Sequence, residues 1–227
     1  MESYQGAPSR PYFREVVYKE LLSMLLHDKL KDFRVILASA SPRRRELLTA
    51  TGIEYTLASK FECDECYPAT MDALEVAPYL SALKSVSYPY SLGYNDILIT
   101  ADTVVVLNGR VLGKPQTEDE ARCMLADLSG SKHTVVTGVT LRTAEREHTF
   151  SSQSTVCFAE LSSEQIEYYI ENYRPMDKAG AYGIQEWIGY VGIEGIEGSF
   201  YNVMGLPVQR LCRELECFIE ALPSCYL

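Results

Sequence analysis

Apolar positions along the chain alternate between two periods, and the places where the period changes mark the elements. Val35-Ile36-Leu37-Ala38 is a short apolar run that reads as a buried strand. Ser41-Pro42 follows as a helix N-cap with proline at the first helical position, and Gly52 closes that helix. Tyr55 to Ala58 reads as a second strand. Val76, Tyr79, Leu80, Leu83 and Val86 recur at helical spacing and place Lys84 beside an apolar stripe. Ile97 to Leu107 and Val111-Leu112 form a predicted hairpin, because Asn108-Gly109 suits a type I′ turn.

Thr117 and Glu120 predict a capping box for a helix that buries Ala121, Leu125 and Leu128 and ends at Gly130. Strands are expected near 134–141 and 149–158. Ser162 and Gln165 cap a helix containing Ile166, Tyr169 and Ile170. The last helix begins at Leu206-Pro207 and runs through Leu211, Leu215 and Ile219. Seven of the 14 glycines fall between Gly180 and Gly205, which predicts frequent turns or close approach to a ligand there. Strands interleaved with helices around a central hairpin specify an α/β fold with a mixed central β-sheet flanked by helices.

Ahead of this pattern, Leu21, Leu22, Leu25 and Leu26 predict an amphipathic helix at the end of an N-terminal extension, residues 1–33. Residues 34–227 form the expected single α/β domain. The chain is 47% hydrophobic and 23% charged, without an apolar run near the roughly 20 residues that span a bilayer. The expectation is a protein outside the membrane. A net charge of -10 speaks against nucleic acid as a partner, since affinity for a phosphate backbone requires clustered Lys and Arg. Seven scattered cysteines fit a reducing, cytoplasmic setting better than a disulfide framework. Cys63 and Cys66 have CxxC spacing but no second pair, so zinc is not expected.

Three features carry candidate chemistry. Arg43, Arg44 and Arg45 stand in the first turn of a helix, where cations oppose the macrodipole unless an anion offsets them. That anion is either a bound polyphosphate or a side chain such as Glu46 or those of the acidic 62–65 loop. Asp102 interrupts the apolar run DILITADTVVVL and must be paired, hydrogen-bonded or metal-bound if that strand is buried. Counting back from the turn brings Lys114 within one step of Asp102 but leaves its face open. Lys84 and Lys114 are each either surface cations or point charges for a phosphate.

Taken together, SASPRRRELL at 39–48, CDE at 63–65, LKS around Lys84, ITADTVVVLNGRVLGKP at 99–115, LSGSKHTV at 128–135, DKAGAYGIQ at 177–185 and IEGSFYNVMGLP at 196–207 resemble the Maf family of nucleoside triphosphate pyrophosphatases. The resemblance implies an ITPase-like fold with two lobes around a nucleotide cleft. It further implies cleavage of a nucleoside triphosphate between its α- and β-phosphorus with a divalent cation, Mg²⁺ or alternatively Mn²⁺ or Co²⁺.

On that resemblance Ser41, Arg43 and Arg44 form a phosphate-binding loop, and Lys84 and Lys114 make further phosphate contacts. Glu65 and Asp102 supply the metal ligands and the general base, with Lys114 assisting catalysis. The resemblance assigns Thr103 and Gln185, with Arg43, to substrate discrimination, Gln185 at the pyrimidine edge and Arg43 and Thr103 around the sugar and phosphates. YGIQ at 182–185 is similar to the branch acting on dTTP and UTP, and the family tendency implies a homodimer. Two alternatives stand beside it: a nucleotide-binding regulator of septum formation with incidental hydrolysis, and a pyrophosphatase for noncanonical purines such as ITP on a related fold.

Overall fold

A computed structural model describes residues 25–222. The expected N-terminal helix lies mostly outside the described residues; within them a single turn, α1 (Leu26–Lys29), begins after an extended Leu25. The remaining elements are β1 (Arg34–Leu37), α2 (Pro42–Ala50), β2 (Thr56–Leu57), α3 (Val76–Val86), β3 (Asp96–Leu107), β4 (Arg110–Leu112), α4 (Glu118–Leu128), β5 (Lys132–Arg142), β6 (Glu147–Phe158), α5 (Ser163–Tyr173), a 3₁₀ turn (Ala179–Ala181), α6 (Trp187–Gly192), β7 (Ile193–Glu197), α7 (Phe200–Met204) and α8 (Val208–Glu220).

β3 is the spine, because its DILITADTVVVL run is covered on both faces by helices and so has no solvent face to fill with polar residues. The sheet order is β2-β1-β3-β5-β6-β7, with β4 also paired to β3. β1 pairs parallel with β2 and β3, whereas the β3–β4, β3–β5, β5–β6 and β6–β7 ladders are antiparallel. The expected mixed sheet is present, and the Asn108-Gly109 hairpin has the expected register, Val105 opposite Leu112.

Pleating sorts the side chains of β3. Ile97, Ile99, Ala101, Val105 and Leu107 enter the main core with Leu47 and Leu48 of α2, Leu125 of α4, Ile170 of α5 and Leu215 of α8. Val104 and Val106 point the other way, into a smaller core under α3 with Val76, Ala77 and Leu80. α3 lies so close to the sheet that a Cβ on Gly138 of β5 would fall 2.3 Å from Pro78 N and 2.4 Å from the Ala77 carbonyl oxygen.

Three local expectations are revised. The second strand is two residues, Thr56–Leu57, not Tyr55 to Ala58, because only Ile36 and Leu37 offer it partners. Thr117 caps α4 by accepting from the Glu120 N–H, but the Glu120 carboxylate reaches the Gln116 N–H instead of closing a box on Thr117. The box at Ser162 and Gln165 is complete. The glycine-rich stretch expected to be turns holds α6, the edge strand β7 and α7 as well.

The topology leaves one gap. β1 and β4 share the same edge of β3, β1 pairing with residues 96–99 and β4 with residues 105–107. Between them the edge of β3 at Thr100 to Val104 has no strand beside it among the described residues, and that opening becomes the mouth of a cleft between the β1–β2 side and the β4 side.

Candidate active site

The cleft is about 930 Å³ and is lined by Ser41, Arg43, Arg44, Glu65, Lys84, Asp102, Thr103, Lys114 and Gln185, among others. All nine sequence-predicted residues thus meet at one place, although they lie on six separate segments. A volume of this size suits a nucleotide-sized ligand.

One wall is built from the β1–α2 junction. Ser41 is the N-cap of α2, but its hydroxyl makes no capping bond, and the first turn contains no acidic residue. Helix N–H groups and arginines therefore face the cleft together, an arrangement that favours an anion. The side chain offsetting Arg43 is neither Glu46 nor one from the 62–65 loop: its Nη1 donates to Asp177 Oδ2 at 3.1 Å. Arg44 turns inward, donating from Nε to the Gly205 carbonyl (2.8 Å), from Nη1 to the Ala101 carbonyl (2.9 Å) and from Nη2 to Thr103 Oγ1 (2.9 Å). Burial pulls its pKa down, and Asp102 acts in the opposite direction. Arg44 therefore fastens the loop to the sheet as well as contributing charge.

The central strand supplies two adjacent residues with opposite surroundings. Asp102 faces α3, where its Oδ1 accepts from Lys84 Nζ. The same ammonium lies 3.1 Å from Glu65 Oε2. Thr103, one residue on, points to the other face, bonding Arg44 and the Thr137 hydroxyl (2.9 Å). The partner of Asp102 is thus Lys84, while Lys114, just past β4, is exposed at the cleft and in no ion pair among the described residues.

Glu65 and Asp102 converge on one place, which the Lys84 ammonium holds in this structure. Among the described residues no cluster of three or more His, Cys, Asp or Glu side chains could hold a metal. A divalent ion bound by Glu65 and Asp102 would thus complete its shell from substrate oxygens and water. This donor set, hard and incomplete, fits Mg²⁺.

The far wall is the 177–186 segment. Gln185 is half-buried there, and its Oε1 is a buried acceptor with no partner. An unpaired buried amide oxygen costs stability, roughly 1–3 kcal/mol, and Gln185 carries one at the lining of the cleft. Sequence reading missed Asp177 and Lys178, which line the cleft, and Glu186, which pairs with Lys178; the DKAGAYGIQ motif contains the first two without indicating that they join the site.

A family model described as Maf-like protein matches residues 34–218. A dTTP/UTP pyrophosphatase of Phocaeicola vulgatus is 51% identical over 189 residues, covering 83% of this chain and 98% of that protein. Proteins of the same name from Parabacteroides distasonis (48% identical, covering 84% and 99%) and Porphyromonas gingivalis (50%, covering 86% and 98%) are similarly close. Overlap with the solved structure of the Staphylococcus aureus Ham1 protein is slight, with a TM-score of 0.42 and 15% identity over 82% of this chain and 98% of that one, and nothing rests on it. A match across the whole sheet and every wall of the cleft, with relatives at about half identity over nearly their full length, means that this chain belongs to the Maf-like protein family.

Proposed function

We propose that this protein hydrolyses pyrimidine nucleoside triphosphates, dTTP and UTP, at the α-phosphorus to give the nucleoside monophosphate and pyrophosphate. The observation that carries the reading is the make-up of the cleft: Arg43, Lys84, Lys114, Glu65 and Asp102 line it together with Gln185, whose amide oxygen has no partner among the described residues. The names of the close relatives support the same substrates.

In this reading the N-terminus of α2, Ser41 and Arg43 hold the phosphates, Lys84 and Lys114 add point charges, and Arg44 secures the loop against Ala101 and Gly205. Asp102 accepts the proton of the attacking water, and Arg43 and Lys114 take up charge as pyrophosphate departs. Glu65 and Asp102 would hold a divalent cation, Mg²⁺ by the hardness of their oxygens, which supplies charge neutralisation on the phosphates. Gln185 reads the pyrimidine edge, since a carboxamide can pair with the N3–H and O4 of uracil or thymine. Thr103, whose hydroxyl is held by Arg44 and Thr137, shapes the site beside it. A cytoplasmic homodimer completes the proposal. No helix among the described residues is long and apolar enough to cross a membrane.

Incubation with UTP and Mg²⁺ should yield UMP and pyrophosphate, with activity lost in excess chelator. Formation of UDP and orthophosphate would place the reaction in another class, and faster turnover of ITP than of UTP would reassign the base.

A further inference from the structure

Asp177, Lys178 and Glu186 flank the base-reading segment without a part in the proposed chemistry. They are joined. Lys178 Nζ, on a side chain 7% exposed, lies 2.7 Å from Asp177 Oδ1 and 3.0 Å from Glu186 Oε1. The other Asp177 oxygen accepts from Arg43 Nη1 at 3.1 Å. The other Glu186 oxygen accepts from the Tyr169 hydroxyl, and that hydroxyl accepts in turn from the Gly183 N–H at 3.0 Å. Burial and Glu186 push the Tyr169 pKa well up, so it remains a donor. Burial acts to raise the pKa of Asp177, but Lys178 and Arg43 outweigh it and hold it below its ordinary value.

The path therefore runs without interruption from Arg43, in the phosphate loop, to both ends of the Gly183–Glu186 turn that presents Gln185. Its four charged groups, two cations and two carboxylates, sum to zero, as a half-buried network requires. The packing is close: a Cβ on Gly183 would come within 2.9 Å of the Glu186 carboxyl and 3.0 Å of Lys178 Cε. Lys178 is the only member that bridges the two carboxylates.

We infer that Lys178 is a positioning residue for base selection: it fixes Gln185 relative to Arg43, so that a triphosphate held by the loop presents its base in register with the carboxamide. The inference rests on the proposed function. It predicts that loss of Lys178 harms a substrate only as far as that substrate uses Gln185.

The test compares Lys178→Met, which keeps the apolar stem, with Lys178→Arg, Gln185→Ala and the double variant Lys178→Met/Gln185→Ala. Lys178→Met should lower kcat/KM for UTP and dTTP about tenfold, the scale of a lost directed hydrogen bond, and leave GTP turnover and inhibition by inorganic pyrophosphate within about twofold. Lys178→Arg should restore part of the loss, and in the Gln185→Ala background Lys178→Met should have little further effect. Equal losses for every base, weakened pyrophosphate inhibition, or additive losses in the double variant would overturn the inference. Glu186→Gln cuts the same link from its other side with a nearly isosteric change, and the same pattern is required of it should Lys178→Met fail to fold. If the unmodified protein fails to split UTP, the proposed function falls first. Calorimetry with UMP then decides the inference, which requires weaker UMP binding in Lys178→Met and is overturned by unchanged binding.

Discussion

At the scale of single residues, the site depends on the strict alternation of β3. Asp102 and Thr103 are neighbours in the chain, yet one meets Lys84 under α3 and the other meets Arg44 on the opposite face. Turning the strand by one residue would exchange their partners, taking Asp102 away from Lys84 and Glu65 and setting it against Arg44 and Thr137. Asp102 is also the only acid in the cleft fixed by a strand; Glu65 is carried on a loop. Its replacement by Asn keeps the shape and removes the proton acceptor. Asp102→Asn should lower kcat for UTP by at least ~10²-fold while the far-UV circular dichroism stays unchanged. A folded variant with ordinary turnover would remove Asp102 from the mechanism.

At the scale of elements, the position of Lys84 depends on how closely α3 approaches the sheet. Ser81, one turn before Lys84, bonds the Thr140 hydroxyl (2.9 Å) and takes Thr100 Oγ1 on its carbonyl (2.7 Å), so α3 is held by buried hydroxyls as well as by Val76, Ala77 and Leu80. Gly138 makes that approach possible, because any side chain there meets the backbone of Ala77 and Pro78 rather than a flexible tip. Gly138→Ala should destabilise the protein by about 1–3 kcal/mol, as overpacking does, and lower turnover by lifting Lys84 away from Asp102. Gly195→Ala serves as the control, since nothing lies within 4 Å of its added carbon, and denaturant titration of the two should separate them clearly.

At the scale of the whole molecule, the far wall of the cleft is tied to the core by His133. It is 3% exposed, its Nε2 lies 2.7 Å from the Tyr182 hydroxyl, and its ring packs against Phe158. Burial lowers its pKa to about 4. The unfolded chain, with an ordinary histidine near 6.5, therefore binds more protons between these values, so stability is intact above about pH 6.5 and is lost as the pH falls toward 4. The loss between pH 7 and pH 5 should be about 2 kcal/mol from this residue. Urea unfolding of the protein and of His133→Gln at both pH values checks it: the difference between the two should narrow in acid, and parallel profiles would assign the acid sensitivity elsewhere. At the other end of the molecule, Lys29 of α1 is buried against Glu216 (2.6 Å) and Glu220 (2.9 Å), which fastens the start of the described chain to α8.

The elements themselves were legible wherever the cause is local. Helical spacing located α3, the Asn108-Gly109 pair located the hairpin and its register, and Ser162 with Gln165 located the start of α5, because caps, turns and amphipathic stripes act over a few neighbouring residues. The motifs likewise named nine residues that meet in one cleft. Only the tertiary structure decided the partners. Arg43 could not be matched to Asp177, 134 positions away, nor Asp102 to Lys84 in preference to Lys114, since a pairing between distant segments depends on which strand edges are left open and which way each side chain leaves the pleat. The same reason hid Lys178 and Glu186. Nothing near them in the chain distinguishes a solvated ion pair from one that joins Arg43 to the turn carrying Gln185; that distinction comes from burial, to which the packing of α5 and the 3₁₀ turn against α4, and of the 3₁₀ turn against β3, contributes.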